Sequence, residues 1–367
     1  MVGFNVELLI GRKRMRKFIA MAAVPAIVLS GCFGGNSEKG SHKEQRSERS
    51  SKVVINGAGA TFPYPVYVNW AKEYEKSTGV KVNYQGIGSG GGIRQVTERT
   101  VDFGGSDKML SPKELDKRRL YQFPAIIGSI VIVYNLPGVG DGELRLSNRA
   151  ACDIFMGKVS YWDDEEIKRD NPKLKLPHQR ITVVHRAEGS GTTWNFTYWL
   201  SHVCPEWKEK VGYGKVVNWP TGIGAKGNAG VTNYVKQTPG GIGYVEYAYK
   251  LQNDLPAAQL QTREGNFVKP TEESFKAAAS HASWKPEEHF YLPGNLLLQP
   301  GKESWPLTAA SVILLPREKK ERNKLVVEFF DWAFKNGDQI AVKLGYVPLP
   351  ESTKEMVRKY WKEVVLK

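Results

Sequence analysis

Residues 53–92 read VVINGAGATFPYPVYVNWAKEYEKSTGVKVNYQGIGSGGG, and this stretch decides the fold class. It opens with a short apolar run at 53–55, which predicts a strand. Apolar residues then recur at every fourth position from Val66 to Tyr74, which is the spacing of one helix face. Polar and apolar residues alternate over 80–84, which predicts a second strand. Strand, helix and strand in this order predict a β-α-β unit with a glycine-rich turn after each strand.

The same alternation of strands and helices continues toward the C-terminus. Further strands are predicted at 101–105, 125–134 and 181–184, helices at 194–200, 320–336 and 352–365, and a helix start at the capping box Ser111-Pro112-Lys113-Glu114. The run 125–134 is almost wholly apolar, as expected for a strand that is buried on both faces. The pattern therefore predicts an α/β fold with mostly parallel sheets flanked by helices.

The first 31 residues are predicted to be a lipoprotein signal peptide. A basic run at 12–17 precedes an apolar run at 18–29, which is too short for a membrane span because a spanning helix needs about 20 residues. The sequence LSGC at 29–32 resembles a bacterial lipobox, and this resemblance implies cleavage before Cys32 and lipidation of its side chain. An uncleaved signal anchor is the alternative.

Residues 32–52 are predicted to be a flexible tether that begins at the lipidated Cys32. The stretch 33–51 contains mostly Gly, Ser and charges of both signs, with Phe33 as its one apolar side chain, so it lacks the means to bury a core. We therefore expect an exported protein that is anchored as a lipoprotein on the periplasmic side of a membrane. The start residue, Met1 or Met15, is left open.

The chain carries a formal net charge of +14, of which five basic residues and Glu7 place +4 in the first 31 residues. A basic surface suits small anions, an anionic membrane or nucleic acid, and it also promotes solubility. Nucleic acid is the least expected partner of an exported protein. The six His and three Cys residues show no ligand-like spacing, so we predict no metal and no cofactor.

Cys152 and Cys204 are the two cysteines that remain if Cys32 is lipidated. An even pair in an oxidising compartment can form a disulfide. Two separately buried thiols explain the sequence equally well.

Four turns between a strand and a helix each place a hydroxyl, a glycine or both just ahead of the helix. A helix N-terminus offers unpaired N–H groups and the positive end of the helix dipole, and glycine lets the backbone approach a ligand closely. Ligands of open α/β sheets bind beyond the carboxyl ends of the strands, so convergence of these turns predicts a small-oxyanion site. Each hydroxyl taken alone is as well explained by ordinary N-capping. The four turns are 60–62, 88–92, 105–107 and 186–192.

Arg186 and Asp107 narrow the choice of ligand. Arg186 precedes the turn Gly189-Ser190-Gly191-Thr192 and offers two parallel donors to an oxyanion, although it can equally pair with a surface carboxylate. Asp107 repels an anion unless that anion carries a proton that the carboxylate accepts. Phosphate near neutral pH carries such a proton and sulfate does not, so Asp107 favours phosphate. The alternative for Asp107 is a helix cap for the segment from Lys108 onward.

The chain resembles the phosphate-binding proteins of Pst-type ABC transporters over about 53–367. The stretches that carry the resemblance are GAGATFPYPVY (57–67), GVKVNYQGIGSGGG (79–92), TVDFGGSD (100–107), QFPAIIGSIVIVYNLPG (122–138), GKVSYWDDEEI (157–167), RAEGSGTT (186–193), GAKGNAGV (224–231), PGGIGYVEYAY (239–249) and FFDWAFKNG (329–337). It implies a two-lobed periplasmic-binding-protein fold (type II-like) that holds inorganic phosphate in the cleft between the lobes. It further implies capture of phosphate outside the cytoplasm and delivery to the membrane subunits of an ABC transporter. We expect a monomer that is not an enzyme.

The resemblance also assigns a site and lobe boundaries. The residues that match the phosphate ligands of the family are Thr61, Phe62 (through its backbone N–H), Ser89, Asp107, Arg186, Ser190, Gly191 and Thr192. Crossovers near 128 and 305 are implied, which give a first lobe of 53–128 plus 306–367 and a second lobe of 129–305. Glu188 departs from the family, which often has Asp at this position, so selectivity against arsenate is left open.

Three other functions fit parts of the sequence. Residues 86–91 match the dinucleotide pattern G-x-G-x-x-G, and Asp107 lies 21 residues after Gly86, so a dinucleotide-binding enzyme is one alternative. This pattern is weak evidence in a glycine-rich chain. A binding protein for sulfate, molybdate or phosphonate is the second, and Asp107 argues against a fully deprotonated anion. An added role in surface interaction is the third.

Overall fold

The computed structural model describes residues 53–367, so the predicted signal peptide, Cys32 and the tether lie outside the described residues. The strands are β1 (Val54–Gly59), β2 (Lys81–Gly86), β3 (Phe103–Ser106), β4 (Leu120–Tyr134), β5 (Arg145–Leu146), β6 (Thr182–Arg186), β7 (Ile223–Ala225), β8 (Gly241–Glu246), β9 (Gln259–Gln261), β10 (Phe267–Val268), β11 (Leu296–Leu297) and β12 (Leu307–Pro316). The helices are α1 (Tyr64–Thr78), α2 (Ser89–Thr97), α3 (Pro112–Arg118), α4 (Asn148–Phe155), α5 (Glu165–Asp170), α6 (Gly191–Val203), α7 (Pro205–Lys210), α8 (Gly227–Gln237), α9 (Tyr247–Asn253), α10 (Glu272–Ala279), α11 (Lys320–Asn336), α12 (Asp338–Lys343) and α13 (Glu351–Tyr360).

A nine-stranded sheet runs through the molecule in the order β2-β1-β3-β12-β4-β8-β6-β7, with β11 paired to β12. A separate small sheet has the order β10-β9-β5. Strand β1 is parallel to β2 and β3, and β6 is parallel to β7 and β8. The long strands β4 and β12 are antiparallel to each other and to their other neighbours in this row. The predicted parallel pairing therefore holds at the two ends of the sheet, and its middle is antiparallel.

Strand β4 joins the two halves of the sheet. Its residues up to Ser129 pair with β12, and its residues from Ile130 onward pair with β8. This change of partner lies beside the crossover expected near 128. Fourteen of its 15 residues are buried, as predicted for a strand covered on both faces. We keep the names first lobe (53–128 plus 306–367) and second lobe (129–305), and these bounds stay a prediction.

The core of the first lobe is aromatic. Phe330 of α11 packs edge-on against Tyr67, Phe103 and Phe123, with ring centroids 5.6, 5.6 and 5.8 Å away. Edge-to-face pairs of this kind contribute about 0.5–1.5 kcal/mol each beyond the burial of their area. Tyr67 and Phe103 belong to α1 and β3, so this packing fixes the two elements next to the turns that carry Thr61 and Asp107.

Most helix ends follow the local signals in the sequence. Ser111 and Glu114 form the predicted capping box at the start of α3. Helix α1 ends at Gly79, whose φ of 75° is the left-handed conformation that favours glycine. Helix α11 has the predicted bounds. The last predicted helix, 352–365, consists of α13 followed by a π-helical turn at Trp361–Val365. Among the described residues, no helix is both long and apolar enough to span a membrane.

The structure joins Cys152 of α4 to Cys204, which follows α6, by a disulfide. This is one of the two alternatives that the sequence left open. The two half-cystines are 52 positions apart, and both are buried. The bond therefore ties two helices of the second lobe together.

Removal of this disulfide is expected to destabilise the protein. A cross-link that closes a loop of this length lowers the entropy of the unfolded chain by an amount worth about 4 kcal/mol. We expect Cys152→Ala with Cys204→Ala to lower the free energy of unfolding in urea by up to about that amount, relative to oxidised wild type. Thiol titration of the unfolded wild type serves as the control. Free thiols at both Cys152 and Cys204, or equal stability of the double variant and oxidised wild type, would contradict the prediction.

Candidate functional site

The eight predicted site residues come together between the two lobes. Thr61 and Phe62 follow β1, Ser89 opens α2, Asp107 follows β3, and the segment 186–192 runs from the end of β6 into α6. Strands β1 and β3 are parallel, so the turns that follow them lie at the same edge of the sheet. Every one of the side chains is buried, and even Thr61 is only 9% exposed. The arrangement places two helix N-termini, several hydroxyls and one guanidinium around one position.

The two lobes touch directly at glycines. The backbone N–H of Gly90 donates to the carbonyl of Gly189 at 2.8 Å, which links the start of α2 to the start of α6. A Cβ atom at Gly191 would clash with the hydroxyl of Ser89 and lie 2.9 Å from Oδ2 of Asp107. Only glycine therefore lets the N-terminus of α6 come this close to the other lobe.

Asp107 is held through its backbone by both lobes. Its N–H donates to Oγ of Ser89 at 3.1 Å, and its carbonyl accepts from the amides of Asn195 at 2.9 Å and Asn295 at 3.0 Å. Its Oδ1 atom has no hydrogen-bond partner among the described residues. The alternative of a helix cap is wrong, because α3 begins at Pro112 and is capped by Ser111. The carboxyl is thus a buried acceptor with spare capacity.

Burial raises the pKa of Asp107 to about 7. The hydroxyl of Ser311, the positive charge of Arg186 and the hydroxyl of Ser89 act in the opposite direction but do not outweigh the loss of water. The carboxyl therefore takes up or releases a proton close to neutral pH. An acceptor of this kind can share one proton with a ligand that approaches Oδ1.

Arg186 is the cation of the site, and its side chain is 1% exposed. Its Nη1 donates to Oγ1 of Thr192 at 3.2 Å, and its Nε donates to Oε1 of Glu188 at 2.9 Å. Nη2 also pairs with Oε1 of Glu188. The same carboxylate oxygen accepts from the N–H of Gly227 at 3.0 Å, so Glu188 holds the guanidinium and the start of α8 together.

Ser190 caps α6. Its Oγ accepts from the N–H of Thr193 at 3.0 Å, and its own N–H donates to the carbonyl of Lys215 at 2.9 Å. The ordinary capping role that the sequence offered as an alternative is therefore present. The cap uses Oγ as an acceptor and leaves its hydroxyl proton available as a donor.

Three residues that the sequence reasoning missed support the turn at 61–62. Tyr249 donates to the carbonyl of Thr61 at 2.5 Å, and Tyr346 donates to the carbonyl of Phe62 at 2.6 Å. Nδ2 of Asn228 donates to Oγ1 of Thr61 at 2.8 Å. Asn228 stands in the glycine-flanked stretch at 224–231, which was a usable signal. Tyr249 likewise ends the quoted stretch at 239–249, whereas Tyr346 lies in none of the quoted stretches.

Comparison with known proteins identifies the family. Residues 45–336 match the model of the PBP superfamily domain. The chain is 52% identical over 314 residues to the phosphate-binding protein PstS of Pasteurella multocida. This match covers 85% of this chain and 91% of that relative. It is 50% identical over 310 residues to the phosphate-binding protein PstS of Haemophilus influenzae, and this match covers 84% of this chain and 92% of that relative. The chain belongs to the PstS phosphate-binding protein family.

The fold of this PstS family member has solved counterparts. It resembles PfluDING, a high-affinity periplasmic phosphate-binding protein solved with bound phosphate, with a TM-score of 0.68. The two are 22% identical, and the match covers 84% of this chain and 93% of that one. The predicted two-lobed periplasmic-binding-protein fold is thereby confirmed.

A second buried carboxyl lies where β4 changes its pairing partner. Glu246 caps α9, because its Oε2 accepts from the N–H of Ala248 at 2.7 Å. Its Oε1 faces Gly128 and has no hydrogen-bond partner within the described part of this PstS family member. Burial raises the pKa of Glu246 well above its usual range.

The glycine pattern at 86–91 does not resemble a working dinucleotide loop. The N–H of Gly90 is already bonded to Gly189, and Asp107 is buried, so the carboxylate that the pattern assigns to a ribose is not exposed. Within residues 53–367 there is no group of three or more His, Cys, Asp or Glu side chains arranged to hold a metal ion.

Replacement of Asp107 is expected to stabilise the phosphate-free protein at alkaline pH. Because the folded-state pKa is raised to about 7, the folded protein binds a proton more tightly than the unfolded chain, and stability falls as pH rises from about 4 to 7. Asn has nearly the same shape and does not ionise. We expect Asp107→Asn to unfold at a higher urea concentration than wild type at pH 8, and the difference to shrink toward pH 4. A difference that does not change with pH would contradict the assignment.

Proposed function

We propose that this protein binds inorganic phosphate between its lobes outside the cytoplasm and delivers it to an ABC transporter for import. The observation that carries the proposal is a buried carboxyl, Asp107, facing a site otherwise built from hydrogen-bond donors. The names of the PstS relatives and the phosphate bound in the solved neighbour support it. The ligand residues proposed are Thr61, Phe62, Ser89, Asp107, Arg186, Ser190, Gly191 and Thr192.

The donors suit a tetrahedral oxyanion. Ser89 and Gly191 are the first residues of α2 and α6. N–H groups in the first turn of a helix have no partner within the helix, and the helix dipole is positive at this end. Hydroxyls of Thr61, Ser190 and Thr192 add further donors. These neutral groups stabilise an anion strongly because the surroundings are shielded from water.

The net charge of the site is kept low. Glu188 offsets the charge of Arg186, so that guanidinium is oriented and partly neutralised before any ligand arrives. Attraction for the anion therefore comes mainly from hydrogen bonds, which are directional, and less from net charge. This favours discrimination by the position of protons on the ligand.

Asp107 separates phosphate from sulfate, molybdate and a fully deprotonated phosphonate. A carboxylate beside a ligand oxygen without a proton leaves lone pairs facing each other, which is costly in a buried site. Phosphate avoids this cost because one proton can lie between the two oxygens. The sulfate-type alternatives are therefore disfavoured at neutral and alkaline pH.

The proposed activity is capture without chemistry. The phosphate loses its water shell, accepts the donors described above, and is enclosed when the lobes close by a hinge motion. The bond from Gly90 to Gly189 and the close approach of Gly191 are contacts between lobes that this closure would form. The change of partner in β4 at Ser129 and Ile130 supports a hinge next to the predicted crossover.

The location and partners follow from the same proposal. The predicted signal and lipobox at 1–32 would export the chain and anchor it by a lipid on Cys32. The tether at 32–52 would then allow the closed monomer to dock on the membrane subunits of the transporter. No cofactor takes part, and nucleic acid is not a partner.

Calorimetry on residues 52–367, stripped of anion, tests the proposal directly. We expect phosphate to bind one-to-one at pH 8 and much more tightly than sulfate, and a nicotinamide dinucleotide to give no heat. Arg186→Ala should weaken phosphate binding by about 100-fold or more, because charge-assisted hydrogen bonds to the anion are lost.

Lys236→Ala is the control for loss of one positive charge, since the Nζ atom of Lys236 bonds only to the backbone carbonyl of Asn253 on the surface. Its phosphate affinity should equal that of wild type. No heat with phosphate, together with a signal for another ligand, would keep the fold and discard the function.

The dependence of sulfate binding on pH tests the role of Asp107 separately. Sulfate has no proton to share, so it should bind only the protein in which Asp107 is protonated. With a pKa raised to about 7, that fraction falls about tenfold for each pH unit above 7, and the apparent Kd for sulfate should rise in the same proportion. In Asp107→Asn the sulfate Kd should not vary from pH 6 to 9. A parallel pH dependence in both proteins would remove Asp107 from the explanation.

A further inference from the structure

We infer that Asn228 is a positioning residue that fixes the hydroxyls of Thr61 and Thr192 as donors toward the bound anion. This inference rests on the proposed phosphate function and adds a residue that sets the polarity of the site. Asn228 is wholly buried and is the second residue of α8. It lies in the second lobe, as does Thr192, whereas Thr61 lies in the first.

The orientation of the Asn228 amide is determined by its backbone neighbour. Its Oδ1 accepts from the N–H of Glu246 at 2.9 Å. A rotation of the amide by 180° would bring its NH₂ group against that N–H donor. Oδ1 must therefore face β8, and Nδ2 must face the site with its two hydrogens.

The oxygen of Thr61 accepts two hydrogen bonds from Asn228. Nδ2 donates to Oγ1 of Thr61 at 2.8 Å, and the backbone N–H of Asn228 donates to the same atom at 3.2 Å. A hydroxyl has two acceptor lone pairs and one proton. Since both lone pairs are in use, the proton of Thr61 can only point elsewhere, as a donor.

The oxygen of Thr192 is in the same situation. It accepts from Nη1 of Arg186 at 3.2 Å and from Nδ2 of Asn228 at 3.4 Å. The second hydrogen of the Asn228 amide supplies the latter bond. Neither threonine hydroxyl donates to a protein acceptor among residues 53–367, so both protons are available to a ligand.

One amide thus sets the direction of two hydroxyls on opposite sides of the cleft. Without it, each hydroxyl can rotate and present a lone pair to the anion as easily as a proton. With it, a ligand oxygen at these two positions must be an acceptor. The proton of the ligand must then face Asp107, whose Oδ1 atom can accept it. Asn228 therefore contributes to selectivity without contact to the anion.

The isosteric variant Asn228→Asp reverses this arrangement. An ionised carboxylate still accepts from the N–H of Glu246, but its other oxygen accepts where Nδ2 donated. The hydroxyls of Thr61 and Thr192 would turn toward it and away from the ligand. We expect phosphate affinity at pH 8, measured by calorimetry, to fall by about 10- to 100-fold, as for the loss of two buried hydrogen bonds.

Asn228→Ala separates orientation from packing. Alanine removes more atoms, so a residue that only fills space would be more sensitive to Ala than to Asp. A residue that orients hydroxyls should show the opposite order, because Ala merely releases them and Asp inverts them. We expect the phosphate Kd to rise in the order wild type, Asn228→Ala, Asn228→Asp.

A background without the two hydroxyls controls for the added negative charge. In Thr61→Val with Thr192→Val the carboxylate introduced by Asn228→Asp still acts on the anion through its charge, but no hydroxyl remains to be turned. We expect the loss caused by Asn228→Asp to be at least about tenfold smaller in this background than in wild type. Asn135→Asp, whose amide bonds only to the carbonyl of Lys236, should leave the phosphate Kd unchanged.

The outcomes distinguish this inference from the proposed function. If wild type does not bind phosphate, the function itself fails. If wild type binds, an equal loss in both backgrounds or a larger loss in Asn228→Ala than in Asn228→Asp overturns the role of Asn228. Thermal melting identifies variants that do not fold. If Asn228→Asp does not fold, Asn228→Ala is used alone. Its loss of phosphate affinity must then be smaller in the Thr61→Val, Thr192→Val background than in wild type, and an equal loss overturns the inference.

Discussion

The burial of the Asp107 carboxyl is the constraint on which the rest of the site depends. A carboxyl without water is costly to ionise, and one of its oxygens has no partner among residues 53–367. It stays in place because its backbone is held from both lobes, by Ser89 at its N–H and by Asn195 and Asn295 at its carbonyl. The buried carboxyl therefore lowers the stability of the fold, and in the proposed function the proton of the ligand supplies the missing hydrogen bond.

The close approach of the two lobes has a steric basis in glycine. Gly191 has no side chain to strike Ser89, and Gly90 and Gly189 meet through their backbones. These contacts bring the positive ends of two helix dipoles to one point without a cluster of cations. Arg186, the cation buried there, is already paired with Glu188. Selectivity in such a site comes from the direction of each donor and acceptor, because uncompensated charge would attract any anion.

Much of the site was predictable because its residues stand in short local motifs. The turn that contains Thr61, the glycine-rich turn before α2 and the segment from Arg186 to Thr192 each combine a strand end with a helix start. What could not be predicted is the set of supports that reach these turns from elsewhere. Tyr249 and Tyr346 hold the backbone of the first turn from far along the chain. Asn228 was visible in its own stretch, but its bonds to Thr61 and Thr192 depend on the packing of α8.

The sequence by itself determined the α/β class, the long buried strand and the helix ends at Ser111 and Gly79. These patterns involve residues a few positions apart, so they can be recognised without knowledge of how the rest of the chain folds. Only the tertiary structure decided that the middle of the sheet is antiparallel, that Cys152 lies against Cys204, and that Asp107 is buried with a raised pKa. Strand direction, cysteine pairing and loss of water are set by neighbours that are distant in sequence, and no local pattern of residues encodes those distances.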